Sequence, residues 1–295
     1  MALSIPYIKL RLALSLDIKE IPEYTFHSSF RGIFGRAMKQ IFCIQNRLEC
    51  DACPVRSCIY RRLFEDTGYG YESYRPYIIR HVRTMGSIFE MEIVIFGQLT
   101  EYGSSLMYLL SSLNGRMLRM GQGEYSLDLK TVHDMNGNLL YNGGSGEIGE
   151  PEIQALGYSP GNRKQVNLRF ITPLRLKHEG KLMGQSQFLL HPILRSIHHR
   201  IDYYCRHILR ERVEFPRYDA SFGGVTASLE WQEIYRKSWR QQQKMSLGGL
   251  IGEIKVIDPS AQTVGLLKMG ELIQAGKQTT FGLGKYEITK NMKEV

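Results

Sequence analysis

The sequence predicts an α+β protein of two tandem ferredoxin-like (RRM-like) domains, with a cysteine-rich insertion after the first helix. Three observations carry this expectation. The order strand, helix, strand, strand, helix, strand can be traced twice along the chain, and that order is the βαββαβ unit. Residues 142–163 hold six glycines among prolines, asparagines and serines, the composition of a linker. The 295 residues suffice for two ordinary domains, each with its own core. The expected bounds are 1–142 for the first domain with a cysteine knuckle at 43–58, 143–163 for the linker, and 164–295 for the second domain.

The first strand is read from Ile8, Leu10, Leu12, Leu14 and Leu16, which alternate with Lys9, Arg11, Ala13, Ser15 and Asp17. Phe30, Ile33, Phe34, Ala37, Met38, Ile41 and Phe42 then recur at helical spacing, with Ser28 or Ser29 as the expected cap. The opposite face of that helix carries Arg31, Gly32, Gly35, Arg36 and Lys39, so it is basic and low in bulk. Strands are expected at 77–82 and 88–98, a helix at 102–120 and a strand at 125–130. In the second copy the expectation is a strand at 166–177, a long helix at 188–212, strands near 227–239 and 250–257, a helix at 263–275 and a last strand.

Lysine and arginine number 38 against 29 acids, a net charge of +9, which favours a polyanion partner such as nucleic acid. No apolar run approaches the ~18 residues of a membrane span, and the N-terminus reads as a strand and not a leader peptide. A cytoplasmic protein with reduced thiols and no membrane partner is expected. Four of its five cysteines, Cys43, Cys50, Cys53 and Cys58, fall within sixteen residues around a Cys-x-x-Cys. Four thiolates so spaced suit a tetrahedral structural site, zinc first and an iron–sulfur cluster second. Cys205 falls on the apolar face of the long helix and reads as core.

Near the C-terminus runs Gly276-Lys277-Gln278-Thr279-Thr280-Phe281-Gly282-Leu283-Gly284-Lys285-Tyr286. Its glycines permit left-handed backbone or close approach, and exposed N–H groups there would cradle an anion. It is neither a P-loop nor a dinucleotide fingerprint, since no Gly-Lys-Ser/Thr follows at the required spacing and it opens no helix. A plain glycine-rich turn is the alternative.

Together these stretches resemble a known family, the CRISPR repeat-RNA-processing endoribonucleases of the RAMP superfamily, in its branch with a cysteine knuckle. The resemblance rests on Phe30-Arg31-Gly32-Ile33-Phe34-Gly35-Arg36-Ala37-Met38-Lys39 and on the cysteines running into Cys58-Ile59-Tyr60-Arg61-Arg62-Leu63-Phe64-Glu65. Ile171 to Lys177, Arg236-Lys237-Ser238-Trp239-Arg240, Gly248-Gly249 and the C-terminal run complete it. It implies CRISPR repeat RNA as partner and cleavage without a catalytic metal, by 2′-hydroxyl attack, to a 2′,3′-cyclic phosphate and a 5′-hydroxyl. A non-catalytic RNA-binding subunit of a CRISPR effector complex is the alternative, and a zinc-dependent adaptor is a third reading. Effector-complex subunits are further candidate partners, and a homodimer stays open.

The family usually places its acid–base histidine on or near the first helix, and the helix as read from this sequence contains none. His27, read as lying just before the helix, is the candidate base or acid, with Lys39 as transition-state stabiliser; a histidine in a connecting loop is the alternative. His198 and His199 on the long helix are the second candidates, among Arg195, Arg200 and Arg206, although neighbours on a helix diverge by about 100°. For RNA binding the candidates are Gly276, Lys277, Gln278, Thr280, Gly282, Gly284 and Lys285 in the loop. Arg31, Arg36, Arg236, Lys237, Arg240 and Lys244 join them. Phe281, Tyr286 or Trp239 could stack on bases, or lie in the core.

Overall fold

The computed structural model describes residues 3–17, 23–45, 48–55, 58–65, 74–120, 123–238 and 243–289. The chain divides into two compact units, Pro6–Ala155 and Leu156–Val295, with the start of the first strand up to Ile5 grouped with the second. That division falls inside the stretch read as a linker.

The N-terminal unit contains β1 (Ser4–Leu16), α1 (Glu23–Phe42), α2 (Ile59–Phe64), β2 (Tyr77–Met85), β3 (Ile88–Phe96), α3 (Gly103–Ser111), β4 (Met117–Met120), β5 (Gly123–His133) and β6 (Leu139–Asn142). Its antiparallel sheet runs β2-β3-β1-β5-β4, with β6 beside β5. The first, third and fourth strands of the βαββαβ order thus lie as the ferredoxin-like fold requires. One face of β1 packs Leu10, Leu12 and Leu14 into the core with Phe30, Ile33, Phe34, Ala37 and Met38 of α1. Phe26, Phe30 and Phe34 form a ring ladder along that helix at 6.0 and 6.3 Å.

Two helices depart from the sequence expectation. The first begins at Glu23, so Ser28 and Ser29 lie inside it; Ser29 Oγ donates to Arg119 O instead of capping. The expected helix at 102–120 ends at Ser111, and Met117, expected to point inward, is exposed on β4. Asn114-Gly115 causes the break: Gly115 takes φ 73° and its N–H goes to Leu127 O, so the chain turns into a strand.

The residue row across the other face of this sheet is charged. Glu92 on β3 lies opposite Arg11 of β1 and Arg80 of β2. Its carboxylate meets Lys9 Nζ at 3.0 Å, Arg11 Nη2 at 3.2 Å and Arg80 Nε at 2.6 Å, and both Glu92 and Arg80 are buried.

After β7 (Gln154–Gly157), in the stretch read as linker, the C-terminal unit continues with β8 (Gln165–Leu174). A small hairpin of β9 (Lys177–His178) and β10 (Lys181–Leu182) precedes α4 (Leu190–His207). Then come β11 (Phe222–Gln232), β12 (Tyr235–Ser238), β13 (Gln243–Ser246), β14 (Gly249–Pro259), α5 (Ala261–Ile273) and β15 (Tyr286–Thr289). The main sheet is β11-β14-β8-β15, the same strand order as in the first unit. Ser260 caps α5, its Oγ accepting from Thr263 N at 3.2 Å. Cys205 is fully buried, and burial pushes its thiol up to about 12. Among the described residues no helix is long and apolar enough to cross a membrane.

Candidate nucleic-acid interface

The glycine-rich run lies between α5 and β15, and its backbone is fixed from several sides. Residue Gln274 ends α5 with φ 62° and ψ 164°, a region other residues avoid and glycine tolerates. Arg200, nearly three turns into α4, then reaches across. Its Nη1 donates to Ile273 O (2.8 Å) and Gln274 O (2.6 Å), and its Nη2 to Gly276 O (2.6 Å). From the same helix Ser196 Oγ accepts from Gly276 N at 3.0 Å. On the strand side Arg175 O accepts from Lys277 N, Pro173 O from Gly284 N, and Thr172 Oγ1 from Lys285 N. Thr172 also donates to Gly282 O. With its carboxamide nitrogen turned inward, Gln274 donates to Leu283 O and Thr279 O.

At the glycines this geometry corrects the expected anion cradle. The N–H groups of Gly276, Lys277, Phe281, Gly282, Gly284 and Lys285 all donate within the protein, so they do not face a phosphate. The glycines serve backbone-on-backbone packing: a Cβ on Gly284 would lie 1.8 Å from Ala275 O, and on Gly276 2.5 Å from Arg175 O. What the loop offers a ligand is side chains. Lys277 is exposed, while Gln278, Thr280, Phe281 and Lys285 are half-buried. Tyr286 is not a base-stacking residue; it is buried and donates to Leu267 O at 2.6 Å.

The paired histidines of α4 separate as helical geometry requires. His198 is buried among Phe215 and Tyr218, its Nε2 2.7 Å from Pro216 O, and burial lowers its pKa. It is a core residue and cannot meet a phosphate on the surface. His199 is exposed. Arg200, expected on a basic surface, is buried to 2 % exposure. Arg195 is exposed, with its guanidinium 5.7 Å over the Tyr218 ring. In the hairpin, Arg236 lies opposite Met245 and Lys237 opposite Lys244. Arg240 and Trp239 lie outside the described residues.

In the N-terminal unit, His27 is inside α1 and 3 % exposed, not in a connecting loop. Arg31 is committed to its neighbours: Nε donates to Tyr77 OH at 2.8 Å and the guanidinium sits 5.6 Å over the Phe64 ring. Gly35, read as part of a low-bulk ligand face, is buried against that same ring, where a Cβ would approach to 2.9 Å. Arg36 is exposed, and Lys39 sits 5.7 Å over the Tyr60 ring. The basic face of α1 is therefore narrower than its sequence suggests.

The four clustered cysteines lie in the segment between α1 and α2. Cys43 N donates to Lys39 O, Cys53 N closes a turn on Cys50 O, and Cys58 precedes α2. Burial, then Glu65, raises the Cys50 thiol, with Cys43 and Cys58 adding to the effect and Lys39 opposing it. All are free thiols, and among the described residues no three Cys, His, Asp or Glu side chains gather as a metal-holding group.

Comparison with known proteins places this geometry. Residues 5–153 match a family model described as an N-terminal domain, AF_1859_N. Residues 168–286, which include β8, α4, α5 and the glycine-rich loop, match the model for the CRISPR-associated endoribonuclease Cas6. The C-terminal part of the chain carries a Cas6 endoribonuclease domain. An uncharacterized protein of Archaeoglobus fulgidus is 25 % identical over 310 residues, covering 98 % of this chain and 99 % of its own. A product complex of Thermus thermophilus Cas6 superposes with a TM-score of 0.57 at 14 % identity, over 96 % of this chain and 100 % of the other. A RAMP protein described as binding different RNA substrates gives 0.50 at 10 % identity, over 96 % and 100 %. At such identities the structural likeness is one of fold, and it agrees with the doubled ferredoxin-like topology of this chain.

The residues that hold the loop were missed in the sequence. Arg200 had a legible signal. It falls at the spacing of Ile193, Ile197 and Tyr204, so a charge interrupts the apolar face of α4. Ser196, Thr172 and Gln274 carried no such mark.

Proposed function

We propose that this chain, through its Cas6-matching domain, cuts CRISPR repeat RNA without a metal in the reaction. The substrate's 2′-hydroxyl gives up its proton to a general base and attacks the adjacent phosphate, a 2′-O–P bond forms, and the bond to the 5′-oxygen breaks. The leaving 5′-oxygen takes up a proton, and the products are a 2′,3′-cyclic phosphate and a 5′-hydroxyl. The single observation that carries the RNA reading is the braced loop within the Cas6-matching segment, which holds Lys277 out to solvent. Lys277 and Lys285 would hold phosphates, giving affinity without base choice. Lys39 would offset the charge of the transition state.

The burial of His27 favours a second reading, a subunit that holds RNA without cutting it. Acid–base work by His27 would require α1 to expose it, whereas His199 is already at the surface. Incubating the protein with end-labelled repeat RNA in EDTA separates the two. One cut ending in a cyclic phosphate supports the enzyme, and binding without a cut supports the subunit. Binding that is weak and insensitive to salt overturns both. If His27→Ala keeps the full single-turnover rate, His27 is not the acid–base group.

Cys43, Cys50, Cys53 and Cys58 are proposed to hold a structural zinc. The donor set suits zinc, but binding would need the cysteine segment to draw together, because the thiols do not converge as described. Elemental analysis of the purified protein is expected to give about one zinc per chain. Cys53→Ser is expected to lose it and to lower the melting temperature of the N-terminal unit. Metal-free protein with unchanged stability counts against the site.

A further inference from the structure

We propose that Arg200 is a positioning residue for RNA binding: from the core of the C-terminal unit it fixes the loop segment that presents Lys277. The inference rests on the RNA reading above and adds a residue that never touches the RNA.

A glutamine at φ 62°, ψ 164° occupies backbone space that is strained for a residue with a Cβ, and such a conformation persists where its surroundings over-determine it. Among those surroundings at Gln274, the side chain that reaches from α4 to the loop carbonyls is Arg200. One guanidinium nitrogen takes the carbonyls of Ile273 and Gln274, and a second takes that of Gly276. Three acceptors spread over four residues need a planar fork, which arginine has and lysine lacks. The guanidinium also lies at the C-terminal end of α5, where the helix carbonyls favour a cation. Lys277 follows the last of these carbonyls directly, and its own N–H is tied to Arg175 O. A shift of the Gly276 carbonyl therefore moves Lys277.

A charge is an expensive way to fill a core. Well-packed apolar residues often replace buried ions with no loss of stability, so a buried guanidinium is better explained by the geometry it imposes than by stability alone. Here the imposed geometry is the path of a loop whose exposed cation is Lys277.

Arg200→Lys in the full chain tests this, with Lys277→Ala and the double variant beside it. Repeat-RNA affinity is measured over a salt series, and amide exchange is followed across residues 273–286. The expected result for Arg200→Lys is roughly tenfold weaker RNA binding and a salt slope shallower by about one, the loss of one phosphate contact. Exchange at Gly276, Lys277 and Gly284 should quicken at least tenfold, while the amides of β8 and β14 keep their rates. In the Lys277→Ala background the Arg200→Lys change should add nothing, because the two act through one contact.

A merely structural arginine would give uniformly faster exchange with an unchanged salt slope, and that result overturns the proposal. So does wild-type RNA affinity in a folded Arg200→Lys protein. Should that variant not fold, Gln274→Gly/Arg200→Lys, freed of the left-handed strain, carries the same measurements; if it also fails to fold, Arg200 is a core residue and the proposal falls. A wild-type chain that binds no repeat RNA would sink the RNA reading instead, and the exchange rates would still report whether Arg200 holds the loop.

Discussion

Gly284→Ala is expected to destabilise the C-terminal unit by roughly 3 kcal/mol or more and to weaken repeat-RNA binding at least tenfold. Two penalties coincide at this position. The backbone is left-handed at φ 78°, which alone costs a residue with a Cβ about 1–2 kcal/mol. The added Cβ would also lie 1.8 Å from Ala275 O, an atom held by the pairing of Ala275 N with Gly284 O. Backbone cannot rotate aside as a side chain can, so the loop must open. Gly86→Ala is the control: its φ is 60°, but nothing lies within 4 Å of the new Cβ. It should show only the left-handed penalty, about 1 kcal/mol. Chemical denaturation of both variants decides the matter. Equal losses would mean that the contact at Gly284 contributes nothing beyond its dihedral angle.

The contrast between those glycines shows what the sequence did and did not make legible. The doubled βαββαβ order could be read because strand alternation and helical periodicity are local properties, and both sheets have the strand order that this pattern demands. The loop was visible as glycine-rich, yet what its glycines approach was not. Sequence tells that a glycine permits φ > 0 or close approach, but not whether the approaching atom belongs to a ligand or to Ala275 and Arg175. The same ambiguity misplaced Gly35, which accommodates Phe64 of α2. His198 and His199 are adjacent letters with opposite fates, and a 100° turn of the helix decides between core and solvent. The helix expected at 102–120 failed because Asn114-Gly115 lies within a continuous apolar pattern, and the turn prevails over the pattern.

The charged row of the N-terminal sheet sets a second, pH-dependent expectation. Burial by itself would raise the Glu92 carboxyl, but the Arg80 guanidinium and the Lys9 ammonium outweigh it and hold the group at about 2. Its ordinary value is 4.5. A carboxyl whose folded value is depressed contributes stability in full above the ordinary value and loses it as pH falls toward the folded one. The N-terminal unit should therefore lose about 3 kcal/mol between pH 5 and pH 2 on account of Glu92. At neutral pH, Glu92→Gln should cost a similar 3–5 kcal/mol, since it leaves the buried Arg80 without its counter-charge. The nearby pair of Arg83 and Glu90 has good geometry, at 2.7 and 2.8 Å, but its arginine is largely exposed, and Glu90→Gln should cost less than about 1 kcal/mol. The diagnostic is the shape of the acid limb. Wild-type stability should fall steeply below pH 5, and Glu92→Gln should flatten that fall while lowering the neutral plateau. If Glu92→Gln lowers the plateau but leaves the acid limb as steep as before, other carboxylates carry the acid sensitivity, and the three cations around Glu92 do not hold its proton off.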